Sequence, residues 1–516
     1  AGGGSSSRSV QAATVSRDAD APPPPAAPAG HVGGMTNEQL AHELLLDRDF
    51  RLDEKAGMSD DKLVHTKIRE TFERAFWKSL VEDLASEPPT YARVLSVLAE
   101  IRQGIEGLAQ GHPEEKRIGE VVDMEEITTQ LRQGKLNYAA CKSLVDEIVK
   151  VILAMHDRMR SPERRKETSD RWAKIRQDMD AADSQDRLAC ASATCAALEL
   201  VLERVHSIRV DTANNKLRAI APVIREHGVE YEKSHFVKKL DSGAITLEGT
   251  KAWIAHTVAE LVATRDQRVA VQDLQMGRPE DFEAVLYVAM VNLVADYPSW
   301  GGAARGGGGV EDGVPETMAL DLLRIKALNM HFHTDVASSV ILATAEHQCR
   351  THIPDLARRA EVFKRVQEVV VANPPKPNSP RVTIRLVAAE LGAAVGASAL
   401  EACQTMLEKN VQRSSAVHAA MTKIFKRVWY HLAKDGEQHP SSSAGVPECA
   451  RVLLPEVARH SASLAAVAKH NKKVHVTRYN PIIKAAGDEL TRNVVKGAAP
   501  APTAAGGATT TSGGRS

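Results

Sequence analysis

Apolar residues return at every third or fourth position over long stretches of this chain, and clusters of proline and glycine interrupt the pattern. An α-helix turns about every 3.6 residues, so this spacing puts the apolar side chains on one helical face. Val64, Ile68, Phe72, Phe76, Leu80 and Leu84 predict one such stripe, opened by Asp60 and Asp61 and stopped by Pro88 and Pro89. Val94, Leu98, Ile101, Ile105 and Leu108 predict the next, and Leu144, Ile148, Ile152, Met155 and Met159 another. Phe282, Val285, Val288, Ala289 and Leu293 continue the series, followed by Leu322, Ile325, Leu328, Phe332, Val336 and Val340. No convincing strand-like alternation exceeds four residues, and aromatics make up only 4% of the chain, low for a β-rich core. The expected fold is all-α: a large, bundle-like multi-helix domain. No repeat of fixed period points to a solenoid.

The breaks set the organisation. Residues 1–36 and 497–516 are Gly/Ser/Ala/Pro-rich and predict disordered tails around a helical domain at 37–496. Gly-rich residues 299–314 and the proline stretch 373–380 read as flexible insertions between helices. Residues 187–225 are Ala- and Leu-rich and predict a helix pair. Ser161-Pro162-Glu163 predicts a capped helix start, with the hydroxyl serving orphan N–H groups and proline in the first helical position.

Charge and cysteine usage narrow the function classes. Lys plus Arg and Asp plus Glu number 66 each, so there is no basic surplus of the kind nucleic-acid binding starts from. The six cysteines form no CxxC, which predicts reduced, mostly buried thiols and an intracellular protein. The N-terminus does not read as a secretory signal. Val285–Ala295, among the longest charge-free apolar runs, is shorter than the ~18 residues of a membrane span.

Catalytic signatures are missing. There is no phosphate-cradling G-x-x-x-x-G-K-[ST], no G-x-G-x-x-G and no G-x-S-x-G, and Leu46 stands where His42-Glu43 would need a second histidine for zinc. A non-enzymatic chain without assigned cofactor or metal ligands is expected. Four clusters still call for weighing. His331, His333, His347, Cys349 and His352 are metal-ligand types, but helical positions two apart point away from each other, so His331 and His333 cannot both chelate; they read as surface and boundary histidines. Residues 417–434 predict a basic amphipathic helix, with Lys423, Lys426, Arg427 and Trp429 as candidate partner contacts; the plainer reading is a core helix with a solvated basic face. Arg164, Arg165 and Lys166 precede Thr168 and Ser169 as in a basophilic kinase site. In Glu226–Glu232 a histidine lies among carboxylates, but Gly228 reads as a left-handed helix end there.

Residues 218–233, RAIAPVIREHGVEYEK, resemble the segment "L-R-P-x-L-x-x-H-x-x-x-Y-E" of the T-complex protein 11 family, with Arg218, His227, Tyr231 and Glu232 matching. Residues 37–44, the Phe76–Leu80 run, Pro315–Asp321 followed by Arg324, and Val474-His475 with Arg478-Tyr479 resemble further segments in order, so the resemblance covers about 37–485. It implies an all-helical fold without known catalytic residues. It also implies a role in signal transduction around cyclic-AMP and protein kinase A, and in animals a link to sperm and flagella. The expected partners are therefore signalling proteins such as kinase subunits, or axonemal proteins, and the expected location is the cytoplasm, cilium or flagellum. The four motif residues are expected to fix a helix–helix corner.

Overall fold

The computed structural model describes residues 35–52, 60–133, 137–159, 161–182, 186–263, 279–297, 314–376 and 379–495. Residues 1–34 of the expected 1–36 tail, all of the 497–516 tail and nearly all of the 299–314 insertion lie outside the described residues. Among the described residues the fold is all-α; no strand forms, and an isolated β-bridge joins Lys376 and Ser379. No described helix is long and apolar enough to cross a membrane.

The chain divides into two compact units. The first comprises mainly residues 70–216. Its core joins the Ala92–Leu108, Pro113–Val121 and Tyr138–Arg158 helices to residues 195–208, through buried Ile101, Ile105, Ile118, Ile148, Ile152 and Leu198. Of these, Ile101, Ile105, Ile148 and Ile152 are positions the apolar stripes single out. The first stripe is less uniform. Leu80 is fully buried, whereas Phe72 is 71% exposed and Phe76 41% exposed. Ser161 makes no capping bond, although Pro162 does take the first helical turn.

The second unit comprises residues 41–50, 57–69 and 217–516. Its centre is the Pro279–Asp296 helix, where nearly every residue from Phe282 to Ala295 is buried. A helix apolar on all sides has no solvent face, so neighbours must cover its whole girth. The Glu248–Ala263, Leu322–His352, Ala416–Asp435 and Leu454–Val495 helices do so. Trp253 from the first of these donates its indole N–H to the Ala289 carbonyl at 3.1 Å.

The expected helix pair at 187–225 is instead one continuous helix, Arg187–Asp241, with Pro222 inside it. Proline has no N–H to offer the carbonyl four residues earlier, on Arg218. Both residues are exposed, so water can serve that carbonyl. Pro481 in the Leu454–Val495 helix is exposed likewise, as is Thr477 four residues before it. Nor does Gly228 end a helix. The left-handed terminus is at Gly243, with φ 70°, where Ala244 N–H reaches back to the Lys239 carbonyl. Gly228 is glycine for closeness: a Cβ there would lie 2.7 Å from Leu45 Cδ1. Gly228→Val should therefore destabilise the protein by about 1–3 kcal/mol through overpacking, read as a lower urea midpoint at unchanged slope.

Candidate functional site

Several of the segments carrying the resemblance meet inside the second unit. His42, from the Asn37–Leu46 helix, lies with Nδ1 3.0 Å from Glu232 Oε1 and Nε2 3.0 Å from Asp321 Oδ1. Glu232 Oε2 accepts from His470 Nε2 at 2.8 Å. The two histidine rings meet edge to face, 5.1 Å between centroids. All four side chains are buried. Arg324 joins the rim, paired with Glu43 and 3.6 Å from Asp321.

Charge explains the protonation states. Burial opposes a charged imidazole, but the hydrogen bonds and fields of Asp321 and Glu232 outweigh it and raise the His42 pKa to about 9. Burial alone would raise the Glu232 carboxyl; the bonds from His42 and His470 bring it down to about 2. His475 lies in electrostatic reach of this group and stays neutral, its pKa lowered to about 3 chiefly by burial.

The Pro315–Asp321 segment contributes a second anchor beside this network. Glu316 accepts from the Gly249 N–H at 2.9 Å, the Thr250 N–H at 2.7 Å and the Thr250 hydroxyl at 2.8 Å. Its carboxylate thus serves the orphan donors at the start of the Glu248–Ala263 helix, from a distant part of the chain. The neighbouring Thr317 carbonyl accepts from Asn471 at 2.6 Å, and Tyr479 donates to Asn471 at 2.6 Å.

The four motif residues thus divide. Glu232 points inward, while Arg218, His227 and Tyr231 are exposed on a helix that runs straight through them. They form no helix–helix corner. The partner-binding candidates also divide. Lys423 and Arg427 are exposed, and Lys426 pairs with Asp296 at 2.9 Å. Trp429 is fully buried and donates to Asp335 at 3.2 Å, so it belongs to the core and offers a partner no surface. The histidines of the Leu322–His352 helix do not converge: His331 stacks on His460 at 4.1 Å, His333 and Cys349 are buried, and His347 and His352 are exposed. In the kinase-like segment Thr168 is buried and donates to the Arg164 carbonyl at 2.7 Å, which shields it from modification.

Two groups among the described residues have metal-ligating atoms within 4.8 Å of one another: buried His42, Glu232 and His470, and the more exposed His431, Asp435 and His439. The first unit has an apolar cavity of about 230 Å³ lined by Leu84, Leu98, Tyr138, Cys141 and Arg187. It also has a polar cavity of about 410 Å³ between His156 and Asp170.

A family model described as T-complex protein 11 matches residues 40–484. The chain belongs to the T-complex protein 11 family. T-complex protein 11 of Mus musculus is 24% identical over 352 residues, covering 64% of this chain and 55% of that protein. The T-complex protein 11 homolog of Homo sapiens is 21% identical over 342 residues, covering 63% and 60%. The chain thus spans little more than half the length of these relatives. No solved structure matches it. The family match runs from just before His42 to just beyond Tyr479, so it encloses the whole buried network. Sequence reasoning found Glu232 as a motif residue but missed His470, whose Ala/Lys/His-rich surroundings carry no motif signal.

Glu316→Ala strands several backbone and hydroxyl donors and should cost about 2–4 kcal/mol in chemical denaturation, with Glu316→Gln costing less. His156 and His333 are held neutral chiefly by burial, with pKa values lowered to about 4. The unfolded chain takes up these protons near its ordinary value of 6.5, so stability is full above that pH and is lost as pH falls towards 4. The urea midpoint should drop between about pH 6 and pH 4.5, and His333→Gln should flatten that fall.

Proposed function

We propose that this chain is a non-enzymatic helical adaptor that binds signalling proteins through the solvent face of the Ala416–Asp435 helix. The observation that carries this reading is the contrast between inside and outside. His42, Glu232, Asp321 and His470 of the second unit are buried and bonded to each other. Lys423 and Arg427, by contrast, are exposed on a helix whose other face is core. Two exposed cations one turn apart on a helix suit an acidic surface of a partner protein, where charge sets orientation and association rate. The T-complex protein 11 resemblance directs the reading to cyclic-AMP and protein kinase A signalling.

Affinity purification of the tagged chain from its native cells, with mass spectrometry, tests this. Kinase A subunits should be retained, and Lys423→Glu with Arg427→Glu should deplete them while the helical circular dichroism spectrum stays unchanged. Retention of tubulin and axonemal proteins instead would replace the adaptor reading with that of a structural component of a cilium or flagellum.

A further inference from the structure

We propose that His42, Glu232 and His470 form a buried divalent-metal site, with zinc as the metal, and that Asp321 orients His42 from behind. The donor set is the first argument. Two imidazoles and one carboxylate are a combination that zinc takes, with a further position left for water or another ligand. Spacing is the second. His42 Nδ1 and His470 Nε2 lie 3.0 and 2.8 Å from the two oxygens of Glu232, and all the donor atoms lie within 4.8 Å of one another. Bonds of about 2.0–2.2 Å from a shared tetrahedral ion place neighbouring ligand atoms at roughly 3.5 Å, so the two contacts to Glu232 open slightly to admit the ion, and the histidine nitrogens, within 4.8 Å of each other, close round it.

The third argument is the outer shell. Asp321 Oδ1 lies 3.0 Å from Nε2 of His42, the nitrogen turned away from Glu232. A carboxylate there keeps a proton on Nε2, so that a metal displacing the Nδ1 proton that faces Glu232 would complete the carboxylate–histidine–metal arrangement. Charge is the fourth. Glu232 and Asp321 bring two buried negative charges; the protonated imidazole between them offsets one, and a dication with neutral imidazoles would offset both. Nearby, the Nδ1 of buried His475 has no hydrogen-bond partner, so the surroundings hold a further polar atom that the protein itself does not satisfy. The ligands come from three helices far apart in the chain, so the ion would tie the N-terminal segment to the Leu454–Val495 helix.

The test uses the full chain, produced without a polyhistidine tag, supplied with zinc and then dialysed. Elemental analysis should find stoichiometric zinc, and X-ray absorption of the zinc-loaded chain should show a nitrogen/oxygen shell with two imidazoles. Adding zinc to the stripped protein should raise its melting temperature. His470→Gln keeps an amide that can donate to Glu232, so the fold is retained while zinc is lost. Asp321→Asn should weaken zinc binding about 10–100-fold. Asp435→Asn, in the more exposed cluster, should leave zinc in place. Absence of zinc from the wild-type chain, an absorption spectrum without imidazole ligation, zinc kept in His470→Gln or zinc lost in Asp435→Asn would each overturn the proposal.

Discussion

The second unit depends on one buried carboxylate. Glu232 lies on a helix interior, takes hydrogen bonds from two histidines and is the least forgiving group in its surroundings. A charged group away from water is tolerated only when nearly every lone pair is met, and removing one partner leaves the other charged and stranded. His42 and His470 are therefore constrained by Glu232, and Asp321 by His42. The helices that bear them must arrive in one register. Apolar contacts around the Pro279–Asp296 helix supply most of the area, but area alone would accept several packings. The polar network selects among them.

Much of the fold was legible because helix periodicity is local. The stripes at 94–108, 144–159 and 282–293 lie in the cores of their units, since spacing along a helix decides which side chains share a face. Misreadings came where a local signal has two physical causes. Gly228 can relax the backbone or make room, and only the position of Leu45 shows that it makes room. An Ala- and Leu-rich run such as 187–225 can make two helices or one long one, and here it makes one, with Pro222 on its wet side. Phe72 and Phe76 continue an apolar period, yet no neighbour covers them as fully as Leu80 is covered.

The site was legible only in fragments. Glu232 stood out within a motif and His42 within a matching segment, but nothing in the sequence pairs positions 42, 232, 321 and 470. Pairing of that kind is a property of the fold. The basic face at 417–434 shows the reverse limit. Its charges were evident, but Trp429 reads as amphipathic surface until the Asp335 carboxylate is found holding its indole in the core.

The separations in this network also bear on how the chain is made. His42 meets Glu232 across 190 positions and Asp321 across 279, and Glu232 meets His470 across 238. At about 5–20 residues per second, translation takes roughly tens of seconds to carry the ribosome from the first of these residues to the last. Until position 321 is made the segment around His42 lacks one of its two polar partners, and Glu232 lacks His470 until the end of that interval. The unit closes late, when the C-terminal helix emerges, and ribosome-associated chaperones have a long window in which to hold its N-terminal end.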